Sequence, residues 1–231
     1  MEFTGERVVP GKTPQEIYKE HIDRYIFAAS LTENKDVLDV ACGTGYGVGC
    51  LVERGARRVT GVDISIEAAN YARDWFGASE SAIFVCADGA MLPFIDNSFD
   101  IVVSFETLEH IRTYRKFLSE CRRVLKENGS LICSTPNRRV FSPNLAKPLN
   151  PFHVREFWPE EFHCLLCRYF GDISLYGQCD VNLADNSVGR KHGVREFKDS
   201  EYISSAYIIA VARKRVKGRP RCSHPKSQSS W

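Results

Sequence analysis

The chain has 231 residues, 43% of them hydrophobic and 26% charged, the composition of an ordinary globular protein with room for one layered domain. No apolar run approaches the ~20 residues of a membrane helix, and the opening stretch MEFTGERVVPGKTPQE has no apolar segment of the secretory type. The net charge of +2 is uneven: seven of the 31 Lys/Arg and no acid lie from Arg213 onward, leaving 24 basic against 29 acidic residues before it.

Residues 1–13 read as irregular. Thr13-Pro14-Gln15-Glu16 then predicts a capping box with proline at the first helical position. Tyr18, Ile22, Tyr25, Ile26 and Ala29 recur at helical spacing, so a helix is expected over 14–31. A buried strand is expected at 37–42, then a glycine-rich turn and a helix to about residue 54. RVTGVD predicts a second strand, and Ser65 can cap a helix running to about Phe76. Strands follow at 82–86 and 99–105. Tyr114, Phe117, Leu118, Cys121, Val124 and Leu125 mark a helix expected to close near Asn128-Gly129, ahead of a strand at 130–134. A Pro- and Asn-rich connection, 136–152, leads to a helix starting at Pro159, and AYIIAVA reads as a last buried strand at 206–212. Strands alternating with helices predict an α/β sandwich on a mostly parallel sheet. Its ligands belong beyond the carboxyl ends of the strands, at the switch point.

Four of the nine cysteines, Cys42, Cys86, Cys121 and Cys133, sit in apolar segments and are expected as small buried thiols in a reducing, cytoplasmic setting. Cys164 and Cys167 form a C-x-x-C within the helical stretch EEFHCLLCRYF. With no second pair in sight, no metal site is expected.

The chemistry starts at VLDVACGTGYG. Gly43, Gly45 and Gly47 follow the first strand and open a helix, so a ligand can approach the backbone and its N–H groups. A dinucleotide fingerprint would carry Gly or Ala where Val48 stands, and a Walker loop would continue into G-K-[ST]. Asp39, four residues before Gly43, would repel a pyrophosphate but could bind an ammonium group. Asp63 closes the second strand, where an acid can accept from ribose hydroxyls. Asp88, after the third strand, could accept from an exocyclic amine such as that of adenine. Three such acceptors at successive strand ends describe a nucleoside carrying an amino acid, without phosphates.

That set, VLDVACGTGYG, VTGVDIS, CADGAMLPF, FDIVVSFETLEHI and RVLKENGSLICSTPN in order, resembles the class I S-adenosylmethionine-dependent methyltransferases of the type 11 kind over about residues 35–135. The resemblance implies a Rossmann-like, doubly wound, three-layer fold with a seven-stranded sheet whose last strand is antiparallel. It implies S-adenosyl-L-methionine as cofactor. Asp39 and the loop of Ala41, Gly43 and Gly45 would hold the methionine part, Asp63 with Ile64 the ribose, and Asp88 with Gly89 the adenine. Phe105 and Glu106, at the fourth strand end, would lie near the sulfonium. Residues 1–34 would form a cover, 35–213 the methyltransferase domain, and 214–231 a basic tail without fixed structure.

For the acceptor, the N/D-P-P-Y/F of amide- and adenine-methylating relatives is missing after strand four; Asn150-Pro151-Phe152 comes after strand five. FTGERVVP, EIYKEHIDRYIFAASL and NPFHVREFWPEEF look like a bacterial and archaeal subgroup often associated with sugar or glycan modification. The similarity suggests that the first helix and the loop after strand five cover the site. A small-molecule or glycan-like hydroxyl acceptor is therefore expected, with His153, Glu109, His110 and His21 as candidate bases and Tyr25 and Arg155 as further contacts. Two alternatives stay open: a nucleic-acid substrate reached through the basic tail, and a cofactor-binding module without turnover. Monomer and homodimer also stay open.

Overall fold

The computed structural model describes residues 1–2, 5, 7–182, 187–188, 193–196 and 204–215. Helix α1 (Gln15–Thr32) leads into β1 (Asp36–Val40), α2 (Tyr46–Glu53), β2 (Arg58–Asp63), α3 (Ile66–Phe76) and β3 (Ala82–Cys86). Then come β4 (Phe99–Ser104), α4 (Tyr114–Val124), β5 (Leu125–Pro136), a short α5 (Arg138–Phe141), α6 (Pro159–Leu166) and β6 (Ile173–Asn182). Two-residue strands β7 (Ser187–Val188) and β8 (Arg195–Glu196) pair with β6, and β9 (Ser205–Arg213) is the last described strand.

The main sheet runs β3-β2-β1-β4-β5-β9-β6. Its first five strands are parallel, and β9 is antiparallel to both β5 and β6. This is the seven-stranded mixed sheet expected from the motifs. Strand order reverses between β1 and β4, which puts a crevice at their carboxyl ends.

Period-two alternation divides the core into two layers. Val37, Ile101, Val103, Ile132 and Ile209 face α1, α2 and α3, where Tyr25, Ala28, Leu51 and Ala72 meet them. Leu38, Val40, Val102, Leu131, Cys133 and Ile208 face α4 and α6, against Phe117, Leu118, Cys121, Phe162 and Leu166. No helix among the described residues is long and apolar enough to cross a membrane.

Several local expectations are corrected. Thr13 does not cap α1: its hydroxyl accepts from the Val9 N–H at 2.8 Å, Pro14 takes the cap position, and no side chain bonds the first turn. Strand β1 ends at Val40, and Ala41 turns out of it at φ 63°. Helix α4 stops at Val124 rather than near Gly129, because Leu125 already pairs with Phe99 and β5 absorbs Asn128, at φ 64°, as an irregularity. Strand β6 supplies the seventh strand of the expected sheet, at a position that no local sequence pattern marks. Cys86 is exposed, unlike Cys42, Cys121 and Cys133. Lys214, expected as the first tail residue, is buried, and its ammonium donates to Asn97 Oδ1 at 2.8 Å and to the Leu125 carbonyl. Residues 216–231, where the tail was expected, lie outside the described residues.

Candidate active site

A cavity of about 320 Å³ opens beyond the carboxyl ends of β1 to β4. Of the residues expected to hold a cofactor, Ala41, Gly43, Asp63, Ile64, Asp88, Gly89, Phe105 and Glu106 line it, as do His21, Tyr25 and His110. Asp39, Gly45, Glu109, His153 and Arg155 stand behind or away from that wall.

Asp39 is the clearest departure. It shares the β1 face of Val37, which α1 and α2 cover, and it is fully buried. The Tyr25 hydroxyl donates to its carboxylate at 3.0 Å, so Tyr25, not Asp39, meets the cavity. Burial pushes the Asp39 carboxyl up to about 7; the Tyr25 bond opposes this, and the Asp63 charge adds to it. A folded-state value above the unfolded one, about 4, means that the folded chain keeps a proton the unfolded chain has lost. Stability from this group is therefore complete below about pH 4 and is lost as pH rises through about 7. Asp39→Asn is expected to flatten the decline in melting temperature of the ligand-free protein between about pH 4 and 7. A variant that declines as steeply as the parent would place the slope elsewhere.

Asp63 is built into the wall with both oxygens engaged. Oδ2 accepts from the Gly43 N–H and Oδ1 from the Ser65 N–H, each at 2.9 Å. Ser65 in turn caps α3, its hydroxyl accepting from the Ala68 N–H at 3.2 Å. The carboxylate thus fixes the glycine loop to the start of α3. Arg7 lies 3.5 Å from Asp63, on a segment whose Val8 carbonyl accepts from the Thr44 hydroxyl at 2.9 Å. Sequence reasoning missed Arg7. The only signal was its place within FTGERVVP, which was read for kinship alone.

Asp88 is exposed at the rim, one oxygen accepting from the Ala90 N–H at 2.8 Å. A side chain on Gly89 would run into Phe117 and Val40, at 2.7 and 2.9 Å, so close packing under the rim requires glycine. Ile64, 72% exposed, offers an apolar surface beside it. Phe105 stands edge-on to Tyr25, with ring centres 5.0 Å apart. Glu106 sits at φ 50°, held by the Ser134 hydroxyl, which donates to its carboxylate at 2.6 Å.

The predicted bases separate. His21 shares a hydrogen bond with the Tyr46 hydroxyl at 3.0 Å, and burial, with the nearby Arg24 charge, holds its imidazole well below the usual value. That suits a neutral hydrogen-bonding wall better than a base. His110 donates from Nδ1 to the Phe152 carbonyl at 3.1 Å, which fixes the orientation of the ring. His153 packs edge-on behind it, ring centres 4.9 Å apart. Its Nδ1 donates to Glu156 at 2.9 Å, and Glu156 also accepts from Ser142. Burial alone would raise the Glu156 carboxyl, but these two bonds outweigh it and hold it below the usual range. Glu109 is wholly buried; that burial, with the Glu106 charge nearby, pushes its carboxyl well above the usual range. Arg155 turns away, donating to Tyr114 at 2.7 Å and pairing with Glu161. The loop after β5 therefore reaches the site through Phe152 and His153, behind His110, rather than as a direct wall.

The donor set fits S-adenosyl-L-methionine. The cavity offers carboxylates and open loop backbone to a cationic nucleoside, and a single arginine, Arg7, against one carboxylate.

Residues 38–133 match a family model described as a methyltransferase domain. A probable S-adenosylmethionine-dependent methyltransferase of Mycobacterium tuberculosis is 37% identical over 179 residues, 77% of this chain and 64% of that protein. A ubiquinone biosynthesis O-methyltransferase of Coxiella burnetii is 34% identical over 116 residues, 50% of this chain and 49% of its own length. This chain thus spans less than two thirds of the curated relatives it matches. Among solved structures, a methyltransferase from Thermotoga maritima described as a possible histamine N-methyltransferase superposes with a TM-score of 0.65 at 20% identity, covering 86% of this chain and 93% of its own; that likeness speaks for the fold alone.

Proposed function

We propose that this chain, which carries a class I S-adenosylmethionine-dependent methyltransferase domain, methylates a hydroxyl of a small or glycan-like acceptor. The observation that carries the reading is His110: it lines the cavity, as Glu106 does, and its Nδ1 proton is committed to the Phe152 carbonyl, so that a neutral ring would take a proton at Nε2. A hydroxyl needs such a group when it attacks; a free amine does not.

The cofactor supplies an electrophilic methyl group on a sulfonium centre. Asp63 accepts from the ribose hydroxyls and Asp88 from the adenine amine. The loop at Ala41 and Gly43 admits the methionine part, and Arg7 offers the cation for its carboxylate. Tyr25 and Phe105 form an apolar wall that excludes water and orients the reacting groups. His110 takes the acceptor's proton at Nε2.

A cavity of about 320 Å³ suits a small acceptor or the end of a chain better than a duplex. The acid excess before Arg213 also repels phosphates. The likeness to an O-methyltransferase points the same way. Labelled cofactor offered with RNA, DNA and pooled hydroxylated metabolites and glycans is expected to mark the last pool alone, as methoxyl groups by mass spectrometry. Removing 217–231 is expected to leave that transfer intact. Label in nucleic acid, lost on truncation, would instead make the tail a substrate-binding element.

A further inference from the structure

Glu109, His110 and His153 come together where the loop after β5 docks on the end of β4. One ligating atom from each lies within 4.8 Å of the others. The docking is specific: the Glu109 carbonyl accepts from the N–H groups of Val154 and Arg155, at 2.8 and 3.2 Å, while His110 holds the Phe152 carbonyl. We infer that these three side chains form a binding site for one zinc-class divalent ion, seated behind the acceptor end of the cavity.

Two observations point to a ligand rather than to plain packing. The first is Glu109. Its side chain is fully buried; Oε2 accepts from the Thr135 hydroxyl at 3.1 Å, while Oε1 has no hydrogen-bond partner. A buried carboxylate oxygen left unpaired is costly, and a cation satisfies it directly. The second is the way the two imidazoles are held. A metal-ligating histidine characteristically donates its other ring N–H to a carbonyl or carboxylate, which fixes ring and tautomer. Both rings do so here: His110 Nδ1 to the Phe152 carbonyl and His153 Nδ1 to Glu156, itself steadied by Ser142. Nε2 would then be the ligating atom on each ring. On His153 the ion would displace the Asn150 amide, which donates to that nitrogen at 3.0 Å.

Two imidazoles and one carboxylate favour a borderline transition ion such as Zn²⁺ over Mg²⁺, which prefers oxygen ligands. Three protein ligands would leave a further position open, and of the three His110 is the one that lines the cavity. With the ion bound, His110 would ligate instead of taking the acceptor's proton, and the ion itself would position the acceptor hydroxyl and make it more acidic. That role rests on the methyl-transfer reading; ion binding itself does not.

The test uses the full chain, stripped of metals and titrated with Co²⁺ while ligand-field absorption and calorimetry are recorded. One ion per chain is expected. His153→Ala and Glu109→Gln should each weaken binding by more than about tenfold, the least that even outer-shell changes around metal ligands cost. Cys164→Ser/Cys167→Ser, a control for the nearby His163, should leave it unchanged. Should Glu109→Gln fail to fold, His153→Ala and His110→Ala carry the test. Absence of a bound ion, or binding unchanged in folded His153→Ala, overturns the site. Methyl transfer by a chain that binds no cobalt overturns the ion alone. Cobalt at the cluster with no transfer to any acceptor supports the ion and overturns the function proposed above.

Discussion

Asp63→Ala is expected to weaken S-adenosylhomocysteine binding by ~1.5–3 kcal/mol, the scale of hydrogen bonds to a charged group, or roughly ten- to a hundredfold in affinity. Asp63 is only 5% exposed, yet it lines the cavity. Each of its oxygens already accepts one backbone N–H and keeps capacity for a ribose hydroxyl. Those two backbone bonds also tie it to the fold, since alanine leaves the Gly43 and Ser65 N–H groups without their acceptor. A lower melting temperature should therefore accompany the weaker binding. The two effects are separable with Ser65→Ala, which removes the α3 cap at a cost of ~1 kcal/mol but keeps the carboxylate. Calorimetry on both variants decides. If Ser65→Ala weakens binding as much as Asp63→Ala, the carboxylate is scaffolding and does not contact ribose.

The sheet and the position of the site were legible because both follow from patterns that do not depend on distant partners. Strand-ending acids at Asp63 and Asp88 and the turn at Gly43 mark a crevice wherever parallel strands end, and the structure puts all three in one cavity. Asp39 was misjudged, although the means to place it were present. In DVLDV the alternation sets Asp39 on the face of Val37, the face that helices cover. The rest was not legible for a physical reason: it depends on contacts remote in sequence. Thr13 looked like a cap until Val9 folded back on it. The grouping of Glu109 and His110 with His153 exists only because a loop more than 40 residues later returns to the end of β4. Strand β6 lies beside β9 near the sheet edge, and Gly177 interrupts its pattern, which weakens the local signal.

Gly47→Ala offers the sharpest test of how α1 is seated, because local propensity and packing predict opposite signs. Gly47 lies inside α2, where alanine would ordinarily stabilise the helix by ~1 kcal/mol. In this structure a Cβ at Gly47 would lie 2.0 Å from Cζ of Tyr25 and within 2.5 Å of two more atoms of that ring. The ring has nowhere to go. It stands edge-on to Tyr46 and Phe105, at 5.5 and 5.0 Å, and its hydroxyl is committed to Asp39. Overpacking a close-fitted core costs ~1–3 kcal/mol, occasionally more, and here relief requires α1 to lift from α2 and uncover Asp39. Gly47→Ala is therefore expected to destabilise the chain and, by moving Tyr25, to open the cavity wall and weaken cofactor binding. Tyr25→Ala removes the obstacle. In that background the same glycine substitution should become neutral or mildly stabilising, so the pair is strongly coupled in a double-mutant cycle. Chemical denaturation of the four proteins measures it. Should Gly47→Ala stabilise the parent chain, α1 does not rest on α2 through Tyr25, and the cover over the cofactor site would have to be held by something else.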